Sequence, residues 1–457
     1  MRYISSRGRA PAIDFGDALL GGLAPDGGLY LPESWPALTG AAPDSYPELA
    51  AAVMQPFVDG VIAPEAFAAM IADAYATFSA PDVCPLVELE ADHHLLELFH
   101  GPTLAFKDVA LQLVGRLFDH ELRRRDDRVT IVGATSGDTG SAAMEAVRDS
   151  ERVDIVILFP VGRTSEVQRR QMTTLGAPNV HAVAIDGTFD DCQDLVKAMF
   201  GDAAFRARAR LSAVNSINWA RVMAQVVYYV WASQRLGRRG VPTTFCVPTG
   251  NFGNVFAGHV AHRMGLPVER FLVASNTNDI LTRLIETGEM VAEDVVPTLS
   301  PSMDIQISSN LERLLYEIIG NGPETAELIL GFREHGRASL TATQHEQVVA
   351  EFAGARLTDD ETLAVMADVH AATGMVIDPH TAVGVGAARR LRTPGETVVT
   401  LATAHPAKFP DAVEQATGTR PALPAHLAPI FERDEVVTSL PNDLATVEDF
   451  VDSVRRG

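Results

Sequence analysis

The sequence predicts an α/β protein with two domains built on mostly parallel sheets, preceded by a mainly helical N-terminal segment. Three observations carry this expectation. From Arg128 onward, β-branched runs alternate with helical patterns, the mark of strand–helix–strand units. Two of those strands end in turns of small residues, GATSGDTG (133–140) and PTGNFGN (248–254), that lead straight into helices. A further strand, VVTLA, runs into TAHPAKF (403–409) near the C-terminus.

At 457 residues the chain can bury a large core and divide into two or three domains. Residues 1–90 are rich in Ala, Pro and Gly, and helices are expected over 48–58 and 64–77. GGLAPDGGLYLPE (21–33) reads as an ordered loop ahead of them. A strand is expected over 94–99, broken by Gly101-Pro102, with Thr103 as the N-cap of a helix over 104–125. The strands RVTIVGA, VDIVILF and VHAVAID follow, with helices near 139–148, 165–175 and 189–200. A long helix fits 216–236, and strand–helix units recur at TTFCVPTGNFGN, RFLVASN and TVVTLATAHPAKF. Turn clusters near 80–92 and 202–215 suggest the division: 1–90 an N-terminal domain, 91–127 with 215–457 a larger domain, and 128–214 a smaller one.

Charge excludes some functions. Lys and Arg total 37 against 59 Asp and Glu, a net charge of −22, which disfavours nucleic acid and anionic membrane as partners. The segment MRYISSRGRAPAIDF lacks the apolar core of a signal peptide and no apolar run reaches membrane length, so a cytoplasmic protein is expected. Cys84, Cys192 and Cys246 are scattered and read as reduced structural thiols. His93, His94 and His405 lack paired-ligand spacing, and no metal is expected.

In FHGPTLAFKD (99–108), Lys107 stands in the first turn of the expected helix and shares a side with Leu111, Val114 and Phe118. Burial and the positive helix end both lower a lysine's pKa, supplying the neutral amine that a Schiff-base nucleophile requires. The stretch alone fits a stem bent outward and a head in water better than a reactive amine. In the second small-residue turn, Gly250 and Gly253 let the backbone curl so that successive N–H groups converge, and the helix end adds positive potential. It is neither a Walker loop nor a dinucleotide fingerprint, and a merely geometric use of glycine fits as well. The first turn suits a carboxylate at a helix head, or simply uses Ser136 and Thr139 as caps. Thr403 lies at a strand's C-terminal end, where open α/β sheets bind ligands. Ser216, Asn218 and Arg221 form one polar patch at a helix head, fit for an anion or for a surface ion pair. A reactive amine, a phosphate cup, a carboxylate loop and a neutral hydroxyl together meet the needs of pyridoxal 5′-phosphate.

With these motifs in view, the sequence closely resembles the threonine synthase family, in the longer type found in many bacteria and fungi. The resemblance runs through YISSRG, GLAPDGGLYLPE, FHGPTLAFKD, ATSGDTGSAA, NSINWARV, PTGNFGN, SMDI and TAHPAKF, nearly the whole chain. It implies a fold-type II pyridoxal-phosphate enzyme, similar to the tryptophan synthase β chain. Lys107 would then be the cofactor-linked lysine. Gly250, Asn251, Phe252, Gly253 and Asn254 would hold the cofactor phosphate, and Thr403 would meet the pyridine nitrogen. Thr135, Ser136, Gly137, Asp138 and Thr139 would receive the substrate carboxylate. Ser216, Asn218, Arg221 and Lys408 are the candidates for a second anion pocket.

The implied reaction converts O-phospho-L-homoserine and water to L-threonine and phosphate, in a monomer or homodimer. Rival readings are a dehydratase or phospholyase of the same fold, and a cofactor-binding sensor. Two positions depart from the pattern. Many fold-type II relatives carry Asn facing the cofactor's phenolic oxygen where this chain has Asp138, so Asp138 is expected to turn away or share a proton. Asn254 stands where some relatives carry Asp, and its amide suits phosphate.

Overall fold

The computed structural model describes residues 1–39, 43–162, 164–213, 215–237 and 241–456. Val214, at the expected edge of the smaller domain, lies outside the described residues.

Two sheets organise the chain. The larger has six strands in the spatial order Phe352–Arg356, Val268–Ser275, Thr243–Pro248, Val398–Ala402, His93–Glu97 and Leu86–Glu90. Its neighbours pair in parallel except the last two, which form an antiparallel edge. The smaller has five strands, Thr438–Pro441, Val180–Asp186, Val153–Pro160, Val129–Ala134 and Leu211–Ser212, parallel throughout. Val153–Pro160 is buried along its whole length, which is why it reads as an unbroken apolar run. The three helices expected after the smaller sheet's strands occur at Asp138–Ala146, Glu166–Thr173 and Phe189–Gly201. The N-terminal helices Tyr46–Val58 and Pro64–Tyr75 join the same core as the long helix Trp219–Arg235, with the Tyr46 and Trp231 rings 5.4 Å apart.

Three expectations are corrected. The lysine helix spans Lys107–Arg125 and starts three residues later than its periodicity implies. Leu104 is left-handed (φ 61°), and residues 104–106 run beside 403–405 instead: Phe106 N–H donates to Thr403 O (2.8 Å) and His405 N–H to Leu104 O (3.0 Å). Thr103 therefore caps nothing; its N–H and hydroxyl donate to the Asp108 carboxylate at 2.8 and 2.7 Å. The third correction concerns the division into domains. Thr438–Pro441 pairs with Val180–Asp186, and the helix Leu444–Val454 seats Val447 and Val451 among Val183, Cys192 and Leu195. The C-terminal residues thus complete the smaller sheet rather than ending the larger unit. At the other boundary, the larger sheet begins at Leu86, before residue 91.

The helices headed by Lys107 and Asp138 touch backbone to backbone. A Cβ at Gly115 would stand 2.1 Å from the Ala146 carbonyl oxygen. Gly115→Ala is expected to lower the unfolding free energy by about 1–3 kcal/mol, seen as a lower urea midpoint at unchanged slope.

Candidate active site

Both sheets present the C-terminal ends of their strands to one place. The loop after Val129–Ala134 supplies residues 135–139, that after Thr243–Pro248 supplies 249–254, and Thr403 directly follows Val398–Ala402. Parallel strands make this convergence, because every strand–helix loop opens at the same sheet edge.

At the centre Lys107 Nζ donates to Asp138 Oδ2 at 3.0 Å and to Ser302 Oγ at 3.2 Å. It is buried, and lies 4.9 Å from the centre of the Phe106 ring. Burial lowers its pKa; Asp138 opposes that, while Lys408 and Arg221 reinforce it, and the net direction is down. Asp138 is held between Lys107 and Lys408. Burial pushes its pKa up, but Lys107, Lys408 and the Gln168 amide outweigh this and hold it well below the usual carboxylate range. Lys408 Nζ lies 3.0 Å from Asp138 Oδ1, and Gln168 Nε2 donates to the same oxygen at 2.9 Å.

In the phosphate cup Phe252 adopts a left-handed conformation (φ 61°) and Gly253 opens the helix Gly253–Arg263. The amides of Gly250, Asn251, Gly253 and Asn254 have no acceptor among the described residues. Four uncommitted N–H groups at a helix head fit an anion. A second layer holds the curl: Ser308 Oγ donates to Gly250 O (2.7 Å), and Asn310 Nδ2 to Asn251 O (3.1 Å) and Ser216 O (3.0 Å). The Asn254 side chain belongs to this bracing rather than to the anion. Its Nδ2 donates to Pro248 O (3.0 Å) and its Oδ1 accepts from Thr249 Oγ1 (2.6 Å).

The other expected residues divide in the same way. Thr135 Oγ1 accepts from the amides of Gly137 (3.0 Å) and Gly140 (2.9 Å) and so shapes this loop. The amides of Ser136, Asp138 and Thr139 have no acceptor among the described residues, and Gly137 turns at φ 137°. Asn218 is fully buried; its Nδ2 donates to Leu19 O (2.8 Å) and its Oδ1 caps Ala220 N–H (3.0 Å). Lys408 is also fully buried, with its remaining protons on Thr103 O (2.7 Å) and Gln171 Oε1 (2.9 Å). Neither is open to a substrate anion. Arg221 is the opposite case: buried, with Nε and Nη1 unpartnered and its pKa brought down by burial to about 10. Thr403 is a buried residue whose hydroxyl has no hydrogen-bond partner among the described residues.

Sequence reading missed Ser302, Gln168, Gln171 and the pair Asp378–His380. His380 Nδ1 lies 2.8 Å from Asp378 Oδ2, and its Nε2 accepts the Ser302 N–H at 3.2 Å, fixing Ser302 beside Lys107. Gln168 carried a signal of another kind, since SEVQ reads as a capping box and forms one.

Comparison with known proteins places the chain in a family. Family models described as threonine synthase N terminus, pyridoxal-phosphate dependent enzyme and threonine synthase, C-terminal match residues 2–75, 85–404 and 381–451. The threonine synthase of Pseudomonas aeruginosa is 52% identical over 459 residues, covering 99% of this chain and 98% of that protein. The chain belongs to the threonine synthase family. The structure of threonine synthase from Brucella melitensis with pyridoxal phosphate bound superposes with a TM-score of 0.98 at 51% identity, covering all of both chains. That of the yeast threonine synthase gives 0.94 at 37% identity, covering 99% of this chain and 98% of that one.

The chain is thus a pyridoxal-phosphate-dependent enzyme of fold type II, and the residues present suit that cofactor. A buried lysine of lowered pKa, four free amides in a cup and an unpartnered hydroxyl match an aldehyde, a phosphate and a ring nitrogen. Asn254→Ala would leave Pro248 O without this donor and the Thr249 O–H without its acceptor behind the cup, at about 1–3 kcal/mol. Equilibrium binding of pyridoxal 5′-phosphate to the apoprotein should weaken by roughly ten- to a hundredfold, with the cofactor still linked to the same lysine.

Proposed function

We propose that this chain converts O-phospho-L-homoserine and water to L-threonine and phosphate, in the cytoplasm, as a monomer or homodimer. The observation that carries the reading is Arg221, a buried guanidinium with two unpartnered nitrogens whose charge acts on Lys107. A buried cation without a partner is costly unless a ligand anion completes it. The cup already accounts for the cofactor phosphate, so a second anion, the substrate's own phosphate, suits Arg221. A dehydratase acting on threonine or serine needs no such pocket.

Bound pyridoxal 5′-phosphate supplies an electron sink joined to the substrate's α-carbon. The free amides at residues 250–254 hold its phosphate, and the neutral Thr403 hydroxyl meets the ring nitrogen without forcing its protonation. The amides of Ser136, Asp138 and Thr139 receive the substrate carboxylate. Once the substrate's amine has displaced it, Lys107 takes the Cα proton; its lowered pKa makes the neutral amine available. Arg221 holds the phosphate as it leaves Cγ after loss of a Cβ proton. Cγ then takes up a proton, water adds at Cβ, Lys107 returns the Cα proton, and the same lysine would hold the cofactor again at the end of the cycle.

Incubation with O-phospho-L-homoserine should give threonine and inorganic phosphate in equal yield. Phosphate with 2-oxobutanoate would instead mean a lyase, and turnover of threonine with no phosphate-dependent activity would sink the proposal. Arg221→Met should lower kcat/KM roughly ten- to a hundredfold, the loss of a charge-assisted contact of about 1.5–3 kcal/mol. The same change should raise the melting temperature of the substrate-free protein, because it removes an uncompensated buried charge.

Lys107→Ala should abolish turnover without unfolding the chain. Only three lysines occur in the sequence, so borohydride reduction and peptide mapping give a clear answer. The label belongs on Lys107, and finding it on Lys197 or Lys408 refutes the assignment.

A further inference from the structure

Two of the chain's three lysines stand on one carboxylate. Asp138 offers Oδ2 to Lys107 and Oδ1 to Lys408, each at 3.0 Å. Lys408 has no exposed surface, and its three donor directions are filled by Asp138, Thr103 O at 2.7 Å and Gln171 Oε1 at 2.9 Å. A compact ammonium matches three convergent acceptors where a planar guanidinium would not. The choice is informative in a chain that otherwise draws its cations almost wholly from arginine.

We propose that Lys408 is the standing counter-ion of Asp138, the charge that keeps this carboxylate ionised while Lys107 is engaged with the cofactor. The inference rests on Lys107 being the cofactor-linked lysine. When its amine condenses with the cofactor aldehyde, a C–N double bond forms and the aldehyde oxygen leaves as water with the amine's two hydrogens. The free ammonium that faced Asp138 Oδ2 is then gone. A buried carboxylate left without a cation takes up a proton.

The surroundings leave Lys408 as the cation that remains. Gln168 donates to Asp138 Oδ1 and Ser302 Oγ to Oδ2, but both are neutral. His380 has its Nδ1 on Asp378 and its Nε2 accepting the Ser302 N–H, so neither ring nitrogen is left for Asp138. Asp108, on the lysine helix, is engaged with Thr103 and adds only negative charge; burial brings its carboxyl up to about 6. Arg221 acts on Lys107 and is not paired with Asp138. An ionised Asp138 in turn leaves its loop accepting bonds from Gln168 and Ser302, which orders the amides of residues 136–139.

The test is the proton balance of cofactor binding. Pyridoxal 5′-phosphate is titrated calorimetrically into the full-length apoprotein near neutral pH, in buffers of different ionisation enthalpy. Lys408→Met should take up about one proton more per chain than the unsubstituted protein, and Lys408→Met with Asp138→Asn should take up no more than Asp138→Asn alone. A second readout is the melting temperature of the loaded protein. With its folded pKa raised, Asp138 in Lys408→Met contributes stability at low pH that is lost as pH rises. Its melting temperature should therefore fall, relative to the unsubstituted protein, as pH rises above about 4, and Asp138→Asn should remove that difference. If Lys408→Met does not fold, the double variant, which leaves no buried carboxylate at position 138, should. Equal proton uptake with and without Lys408 overturns the proposal. So does a double variant that folds no better than the single one, since Lys408 would then act only through Thr103 and Gln171. A borohydride label on another lysine overturns the assignment of Lys107 instead, so the two failures are distinguishable.

Discussion

The Asp138 carboxylate is a charge that water does not reach, and much of the site is arranged to satisfy it. Burying an ion costs several kcal/mol, recovered only with good geometry and a full set of hydrogen bonds. Here the partners come from four separate segments: Lys107 at a helix head, Gln168 in the helix Glu166–Thr173, Ser302 in the turn Pro301–Met303, and Lys408 in Pro406–Lys408. Asp138 itself follows a strand of the smaller sheet, whereas Lys408 follows a strand of the larger one. Meeting the needs of one carboxylate therefore fixes where the carboxylate loop stands against the rest of the site.

The polar residues around this centre divide into those that spend their hydrogen bonds on the protein and those that keep them. Thr135, Asn218, Asn254 and Lys408 are braces. The free groups are chiefly backbone amides, together with Arg221 and the Thr403 hydroxyl. Preorganisation requires both kinds, because amides converge on a ligand only when side chains behind them hold the curl.

The N-terminal segment takes part in this bracing from a distance. Arg7 forms a two-pronged ion pair with Glu312 (3.0 and 3.1 Å), and Ser6 Oγ donates to the same carboxylate at 2.6 Å. The neighbouring Arg313 is fully buried; it donates to Tyr30 O, Ile217 O and Asn310 Oδ1. Asn310 in turn holds Asn251 O and Ser216 O. Residues of YISSRG and GLAPDGGLYLPE thereby reach the phosphate cup and the polar patch through two arginines, which gives a physical reason for those motifs to belong to the same protein as the catalytic ones.

The elements that carry the site were legible in the sequence because they are local. Apolar periodicity, small-residue turns and strand-terminal motifs need only neighbours along the chain, and Lys107, the curl at 250–254 and Thr403 follow from them together with the family resemblance. What the tertiary structure decided is which way each polar group spends its bonds. Thr103, Thr135, Asn218 and Lys408 have side chains suited to capping or ligand binding, yet their partners lie across the fold or in a turn whose geometry spacing does not give. The same holds for Thr438–Pro441, a short strand whose place in the smaller sheet depends on a partner some 250 residues earlier in the chain. The sequence by itself determined the strand–helix layout and set a lysine at the head of a helix. Only the packed structure decided that Asp138 is an ion held between two lysines, because burial and charge pairing are properties of the assembled interior rather than of any segment.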